Sequence, residues 1–569
     1  MKKTRFNLAL FVLALIVLSS CGGLNKMRNN AANVRYDVTP EVLEAHAGEV
    51  EVTIRGTYPA KYFNKRAVLE LTPVITYPGG QTALSSITLQ GENVRDNNQV
   101  VNFSGGSFSY KDKVPFNDNM RVSELVVRVN AQLRNNELEF DPLKIADGVI
   151  ATSELVVVNP KPVKVGDNFK RIVPETKESA IFYVINRADV RQSELRSEQM
   201  QAFREYLDKA VEDERIDIKN VGINAYASPD GPIDFNVSLS TQRKETSDRV
   251  LTSELTRVKL EKKDNFYNAR ALGEDWDGFK ELMEGSTIRD KELILRVLSM
   301  YSDPVVRERE IKNISAAYTE IADKILPQLR RSVLAINVDL IGYTDDELVQ
   351  IYGMAPARLN LEEMLYTATL FSDPSQQYQV YQRTSQRFPE CFRAFNSMGV
   401  VLVELDNVAA AKDAFLRAQK LANNDVIKNN LGAIALMEGN VVQAEEYLAS
   451  VASPTAETNY NLGILAIKKA DYAKAASHLG NTPEVNTALV KMLQNSNDDA
   501  LRILNNIQQP DAMAFYLRAI IGARKQDSKM LLDNLRTAVS RNASLKEHAK
   551  TNMEFGRYFQ DSTFASIVN

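Results

Sequence analysis

A chain of 569 residues, 44% apolar and 25% charged, has ordinary globular composition and the length for roughly three to four domains. Its formal charge of −4, with no long basic run, excludes a broad electrostatic footprint for nucleic acid. Three histidines (His46, His478, His548) and two cysteines (Cys21, Cys391) lie far apart and offer no zinc spacing, so neither metal nor cofactor is expected.

The chain opens "MKKTRFNLALFVLALIVLSSCGG". Lys2, Lys3 and Arg5 form a positive start, and Phe6–Leu18 is a mostly apolar run of secretory length, short for a membrane span. Leu18-Ser19-Ser20-Cys21 resembles a bacterial lipobox. That resemblance implies removal of residues 1–20 and acylation of Cys21, which anchors a soluble body through roughly 0.8 kcal/mol per buried CH₂. Loss of the three positive residues takes the formal charge from −4 to −7. Residues 21–35, small and polar, are expected to be a flexible tether. In some Gram-negative groups acidic residues just after the lipidated Cys direct lipoproteins to the cell surface; Lys26 and Arg28 stand here instead, which favours the periplasmic face of the outer membrane. Cys391 is then the one remaining thiol, so the fold stands without an intramolecular disulfide.

Residues 36–160 read as β structure. Val50, Val52 and Ile54 alternate with polar partners, and "AVLELTPVITYPGG", "SELVVRVNAQLRN" and "TSELVVVNP" are further strand-like runs separated by turns. The spacing predicts an antiparallel β-sandwich, immunoglobulin-like in outline, serving as spacer or docking module. Asn159–Asp167, "NPKPVKVGD", reads as a proline-rich linker.

Residues 168–350 alternate strand and helix. "ESAIFYVINRADVR" is a strand, Met200, Phe203, Leu207 and Val211 mark one helical face, "IDIKNVGINAYAS" is a second strand, and "NVSLSTQRKETSDRVLTSEL" a second helix. A helical insert over 277–329 and a closing strand, "SVLAINVDLIGY", complete a βαβα layered domain. Between the second strand and its helix stands "YASPDGPIDFNVSLSTQR" (Tyr226–Arg243). Its Gly231, Asn236, Leu239-Ser240 and Arg243 resemble the turn of the OmpA-like domain that binds peptidoglycan. In that family an Asp and the Arg hold the diaminopimelate of the stem peptide; Arg supplies a planar fork for a carboxylate. Here the position of the Asp is Ser228, which carries no charge. Asp230 and Asp234 are candidate substitutes, each equally a turn or cap residue. The domain also resembles a variant found in envelope lipoproteins and fimbrial-assembly-type proteins of anaerobic Gram-negative bacteria, through Tyr226–Pro232, Gly273–Trp276 and Pro327–Arg331. Trp276, the only tryptophan, reads as an anchor for the insert or a surface recognition residue. Arg330 and Arg331 read as a helix-end pair or an anion site.

Residues 358–560 are helical and repeat. Gly399, Gly432 and Gly463 recur at spacings of 33 and 31; Ala411, Ala444 and Ala475 follow each by twelve, and Phe415, Leu448 and Leu479 by sixteen. These resemble tetratricopeptide repeats, whose helices cross closely where small residues leave room. A weaker unit carries Ala519 in the glycine position, and 364–390 reads as a degenerate leading pair. The concave face is expected to hold an envelope protein partner.

No GxSxG, P-loop, HExxH or dinucleotide loop is present, and Cys391 has no histidine near it in sequence. The chain therefore reads as multidomain and non-catalytic: β-sandwich, OmpA-like α/β domain with helical insert, α-solenoid. The expected function is that of an outer-membrane-anchored periplasmic scaffold with no nucleic-acid role. The alternative is a peptidoglycan-binding anchor using Arg243, Asp230, Ser228 and Asn236.

Overall fold

The computed structural model describes residues 23–261 and 265–569, so the lipobox and Cys21 lie outside the described residues. The described chain forms two compact units. One joins the residues up to Gly166 with Ser372–Asn569; the other is Asp167–Phe371. The β domain and the repeats, far apart in sequence, thus belong to one body.

In the first unit the β strands form a hydrogen-bonded network in the order Arg35–Thr39, Glu49–Tyr58, Val42–His46, Leu143–Ile150, Ser123–Leu133, Val68–Tyr77, Ile87–Gly91, Gln99–Val101, with Gly106–Pro115 beside Glu49–Tyr58. The order is continuous because Val42–His46 pairs antiparallel with Glu49–Tyr58 and parallel with Leu143–Ile150. The strict alternation in Glu49–Tyr58 buries Val50, Val52, Ile54 and Tyr58. The expected tether is not one. Residues 23–29 are helical, and Leu24 and Met27 are buried in the β-domain core with Leu43 and Phe63.

The repeats are antiparallel helix pairs stacked in series: Phe392–Glu404 with Val408–Leu421, Asp425–Met437 with Val441–Ala449, Ala456–Lys468 with Tyr472–Leu479, Val485–Leu493 with Asn497–Asn505, and Ala512–Arg524 with Ser528–Arg541. A Cβ at Gly399, Gly432 or Gly463 would stand 2.4–2.6 Å from Phe415, Leu448 or Leu479, so the glycines are forced by the close crossing. Seven residues after each small residue the turn carries a left-handed backbone (Asp406, Gly439, Ala470, Asn495, Gln526). The next residue begins the second helix. Asn407, Asn440, Asp471 and Asp527 each cap it with the side chain. The fourth pair has no glycine to mark it, and Ala488, Ala500 and Leu504 repeat the same spacing with alanine in its place. The leading pair is corrected: Pro374–Arg387 packs on the first repeat, but Leu361–Thr369 belongs to the other unit, where Phe169 stacks on Tyr366 at 4.5 Å.

The central unit is a four-stranded sheet ordered Ile172–Phe182, Arg331–Ile341, Ile216–Ala227, Tyr267–Glu274. The first three pair antiparallel and the last is parallel to its neighbour, across the crossover helix Ile233–Arg257. The edge strand Tyr267–Glu274 has no clear alternation, which hid it in the sequence. Met200, Phe203, Leu207 and Leu251 pack on the sheet; Val211, placed on the same face by its spacing, is exposed. The insert has its own core around Phe279, Met283, Ile294 and Leu326.

Candidate functional site

The groove of the repeat array is filled by the segment expected to be a linker. Residues 156–165 run extended along the first helices of the repeats, in the opposite order to the array. Asn486 accepts from the Val157 N–H at 2.9 Å and donates to its carbonyl at 2.8 Å. Asn461 does the same with Lys161 at 2.7 and 3.0 Å, and Asn430 with Val163 at 2.7 and 2.8 Å. Each side-chain amide thus imitates the edge of a neighbouring β strand. Asn396 and Asn429 add bonds to the Val163 and Lys161 carbonyls, and the asparagines bond one another along the groove.

All five asparagines are at most 1% exposed. A buried carboxamide costs stability unless its donors and acceptor are met, and the strap meets them. The proline pattern suits this register. Pro160 and Pro162 lack an N–H and alternate with Lys161 and Val163, whose N–H groups are used. Two lysines add side-chain contacts: Lys161 pairs with Glu484 and lies 4.0 Å from the Tyr460 ring centroid, while Lys164 Nζ is 3.0 Å from Glu404. Burial and Glu484 together push the Tyr460 phenol well above its usual range. Sequence reasoning missed these residues. Their signal is an Asn two or three positions before the small residue (Asn396, Asn429, Asn430, Asn461, Asn486), on a helix interior where Asn has no propensity reason to be.

Further contacts close the β domain on the array. His46 Nδ1 is 2.6 Å from the Tyr472 hydroxyl, and Thr152 donates to Glu554, which also holds Arg524 in a buried pair.

In the central unit the turn Tyr226–Arg243 does not present a clamp. Arg243 is fully buried, and its guanidinium donates to the carbonyls of Tyr226 at 2.9 Å, Arg187 at 3.1 Å and, weakly, Val184 at 3.5 Å. Its charge centre lies 5.0 Å from the Tyr183 ring centroid. Burial pulls its pKa down to about 10. Ser228 donates to Asp230, and Asp230 lies 3.5 Å from Arg330. Burial raises the Asp230 carboxyl, against the lowering effect of Ser228 and Arg330. Asn236 donates to Glu274 at 2.9 Å and is itself 3% exposed. The insert covers the turn: Glu308 accepts the Gly231 N–H at 2.7 Å. Arg243 and Asp230 therefore do not converge on an open cleft, and the four residues expected to contact a ligand are spent within the fold.

Arg331 is bound to Asp275 at 2.9 Å, so neither Arg330 nor Arg331 is an open anion site. Trp276 anchors the insert, donating to Glu274 at 2.8 Å with its ring against Phe279. Cys391 is buried just before the first repeat helix. Among the described residues no group of three His, Cys, Asp or Glu side chains could hold a metal ion, and no helix is long and apolar enough to cross a membrane.

No family model and no curated protein matches this sequence. Among solved structures, the chain is similar to an APC/C hetero-tetramer, Cut9–Hcn1 (17% identity, 37% of this chain and 45% of that chain, TM-score 0.32). A tetratricopeptide repeat protein from Parabacteroides merdae shows 14% identity over 37% of this chain and 91% of its own, TM-score 0.30. Yeast Tom70 shows 12% identity over 66% and 93%, TM-score 0.26. The chain spans less than half the length of the Cut9–Hcn1 chain it matches. The tetratricopeptide character of the C-terminal array stands on its own helix-pair geometry.

Proposed function

We propose that this chain is a lipid-anchored, non-catalytic scaffold of the bacterial envelope, tethered through Cys21 to the periplasmic face of the outer membrane. The observation that carries the scaffold reading is the filled groove. Five buried asparagines hold residues 156–165, so β domain and repeats act as one body that presents surfaces instead of an open peptide channel. Protein partners then engage the outer faces of the array. The OmpA-like resemblance of the central unit is read as a docking frame. Its enclosed Arg243 speaks against a stem-peptide clamp, and isolated sacculi are expected not to sediment the protein.

Cross-linking in cells followed by mass spectrometry tests the scaffold: one dominant protein partner is expected, and a chain that cross-links to no protein overturns it. Flotation tests the anchor separately. In high salt, Cys21→Ala should leave the membrane fraction, and an unchanged distribution removes the lipoprotein reading.

A further inference from the structure

The β domain carries a cationic surface where the chain leads back to Cys21. Gly23 packs against Asn64 and Leu133: a Cβ built on it would lie 2.9 Å from the Asn64 amide and 3.2 Å from Leu133. Only Gly22 separates Gly23 from Cys21, so chain geometry keeps their Cα atoms within about 7 Å. Because Leu24 and Met27 are locked in the core, no spacer intervenes.

Around this point the exposed charges are mostly basic. Lys26 and Arg28 stand on the helix, Lys61, Lys65 and Arg66 on the loop that contains Asn64, and Arg134 follows Leu133. Two carboxylates stand among them: Glu92, which Lys65 neutralises at 2.8 Å, and Glu137, three residues after Arg134 on the same hairpin. On the next loop Arg95 and Asp96 offset each other in charge. An aromatic stands at the same rim. Phe103 is 38% exposed, its carbonyl accepts the Lys61 N–H at 2.7 Å, and Lys65 Nζ is 5.2 Å from its ring centroid. Exposed cations around a partly exposed ring match the interface of an anionic bilayer.

We infer that this face of the β domain docks on anionic phospholipid headgroups, with Lys26, Lys61 and Arg66 on phosphates and Phe103 entering the interface. The inference rests on the lipoprotein reading for its biological place, but the chemistry of the face does not need the acyl chains. Acylation and docking are two signals acting together: the acyl anchor holds the protein at the bilayer and the basic face sets how it sits there.

The test uses residues 22–569, which lack the apolar leader and carry no lipid. This protein should sediment with phosphatidylethanolamine–phosphatidylglycerol vesicles at low salt, release at high salt, and ignore phosphatidylcholine vesicles. Combined Lys26→Glu, Lys61→Glu and Arg66→Glu should lower the association constant roughly a hundredfold, while Arg417→Glu with Lys420→Glu on the array should not change it. Thermal melts check that the reversals leave the fold intact. Independently, Phe103→Trp should shift its emission to the blue on vesicle addition, above the Trp276 background. No sedimentation with anionic vesicles at low salt, or equal binding by the reversal variant, overturns the docking face. That outcome leaves the anchor untouched, because Cys21→Ala flotation in high salt, where headgroup docking is screened, reads the anchor alone.

Discussion

The asparagines of the repeat groove and the arginine of the central turn are equally buried, and both spend themselves on backbone carbonyls. They differ in whose backbone they hold. Arg243 binds carbonyls of its own domain, at Val184, Arg187 and Tyr226, and in doing so fixes a loop. Asn430, Asn461 and Asn486 bind a segment 267 to 329 residues away, and in doing so join two domains. A polar group that looks like a ligand contact in the sequence can therefore be internal mortar, and a segment that looks like a spacer can be the ligand.

The largest effect is expected at Arg243. Arg243→Met strands its carbonyl partners in the interior, at about 1–3 kcal/mol each, so the central unit should lose roughly 3 kcal/mol or more. Trp276, the sole tryptophan, reports on that unit in urea unfolding followed by fluorescence. An unchanged midpoint would mean that the guanidinium is not structural and would reopen the turn as a binding site.

On the other side, Asn430→Ala with Asn461→Ala removes two of the paired clamps on the strap. Each should cost about 1–3 kcal/mol. The sum should not be additive, because both asparagines bond Asn429. The sharper readout is trypsin cleavage after Lys164, slow in the parent and fast in the variant. Equal cleavage would show that the asparagines do not hold the strap.

Gly463→Ala separates repeat packing from groove binding. Its Cβ would meet Leu479 at 2.4 Å, an overpacking that should cost about 1–3 kcal/mol. Leu479→Val in the same chain should recover part of it, with the strap still protected.

The smallest effect concerns pH. His548 is bonded to the Tyr516 hydroxyl, and burial, helped by Arg121, lowers its pKa from 6.5 to about 4. The neutral form is the folded one. Between about pH 6.5 and 4 the unfolded chain takes up a proton that the folded chain does not, so stability falls as pH drops through that window. Urea midpoints followed by circular dichroism should decline from ~pH 7 to ~pH 4.5, and His548→Gln should flatten that slope.

Repeat packing was legible because it is periodic. Gly399, Gly432 and Gly463 mark crossings that no larger residue allows, and the spacing carries to Ala488 and Ala519. The sheet of the central unit was legible from its apolar strands, apart from Tyr267–Glu274. The groove was not. The asparagines recur with the repeats, but a recurring Asn does not say what it binds, and "NPKPVKV" reads as a linker unless its partners are known to lie hundreds of residues later. The turn was legible as a frame and misleading as a site, because burial of Arg243 depends on carbonyls that the sequence does not mark. The helix over 23–29 was hidden by its small polar composition.

The strap also imposes an order on synthesis. Residues 156–165 leave the ribosome long before the helices that carry Asn396, Asn430, Asn461 and Asn486 exist. The central unit, being contiguous, does not wait for them. The first body of the protein is completed only when the last repeats arrive, so an interrupted chain displays an unpaired extended segment carrying Lys161 and Lys164. A protease that cuts exposed extended segments would distinguish finished molecules from unfinished ones by this single stretch.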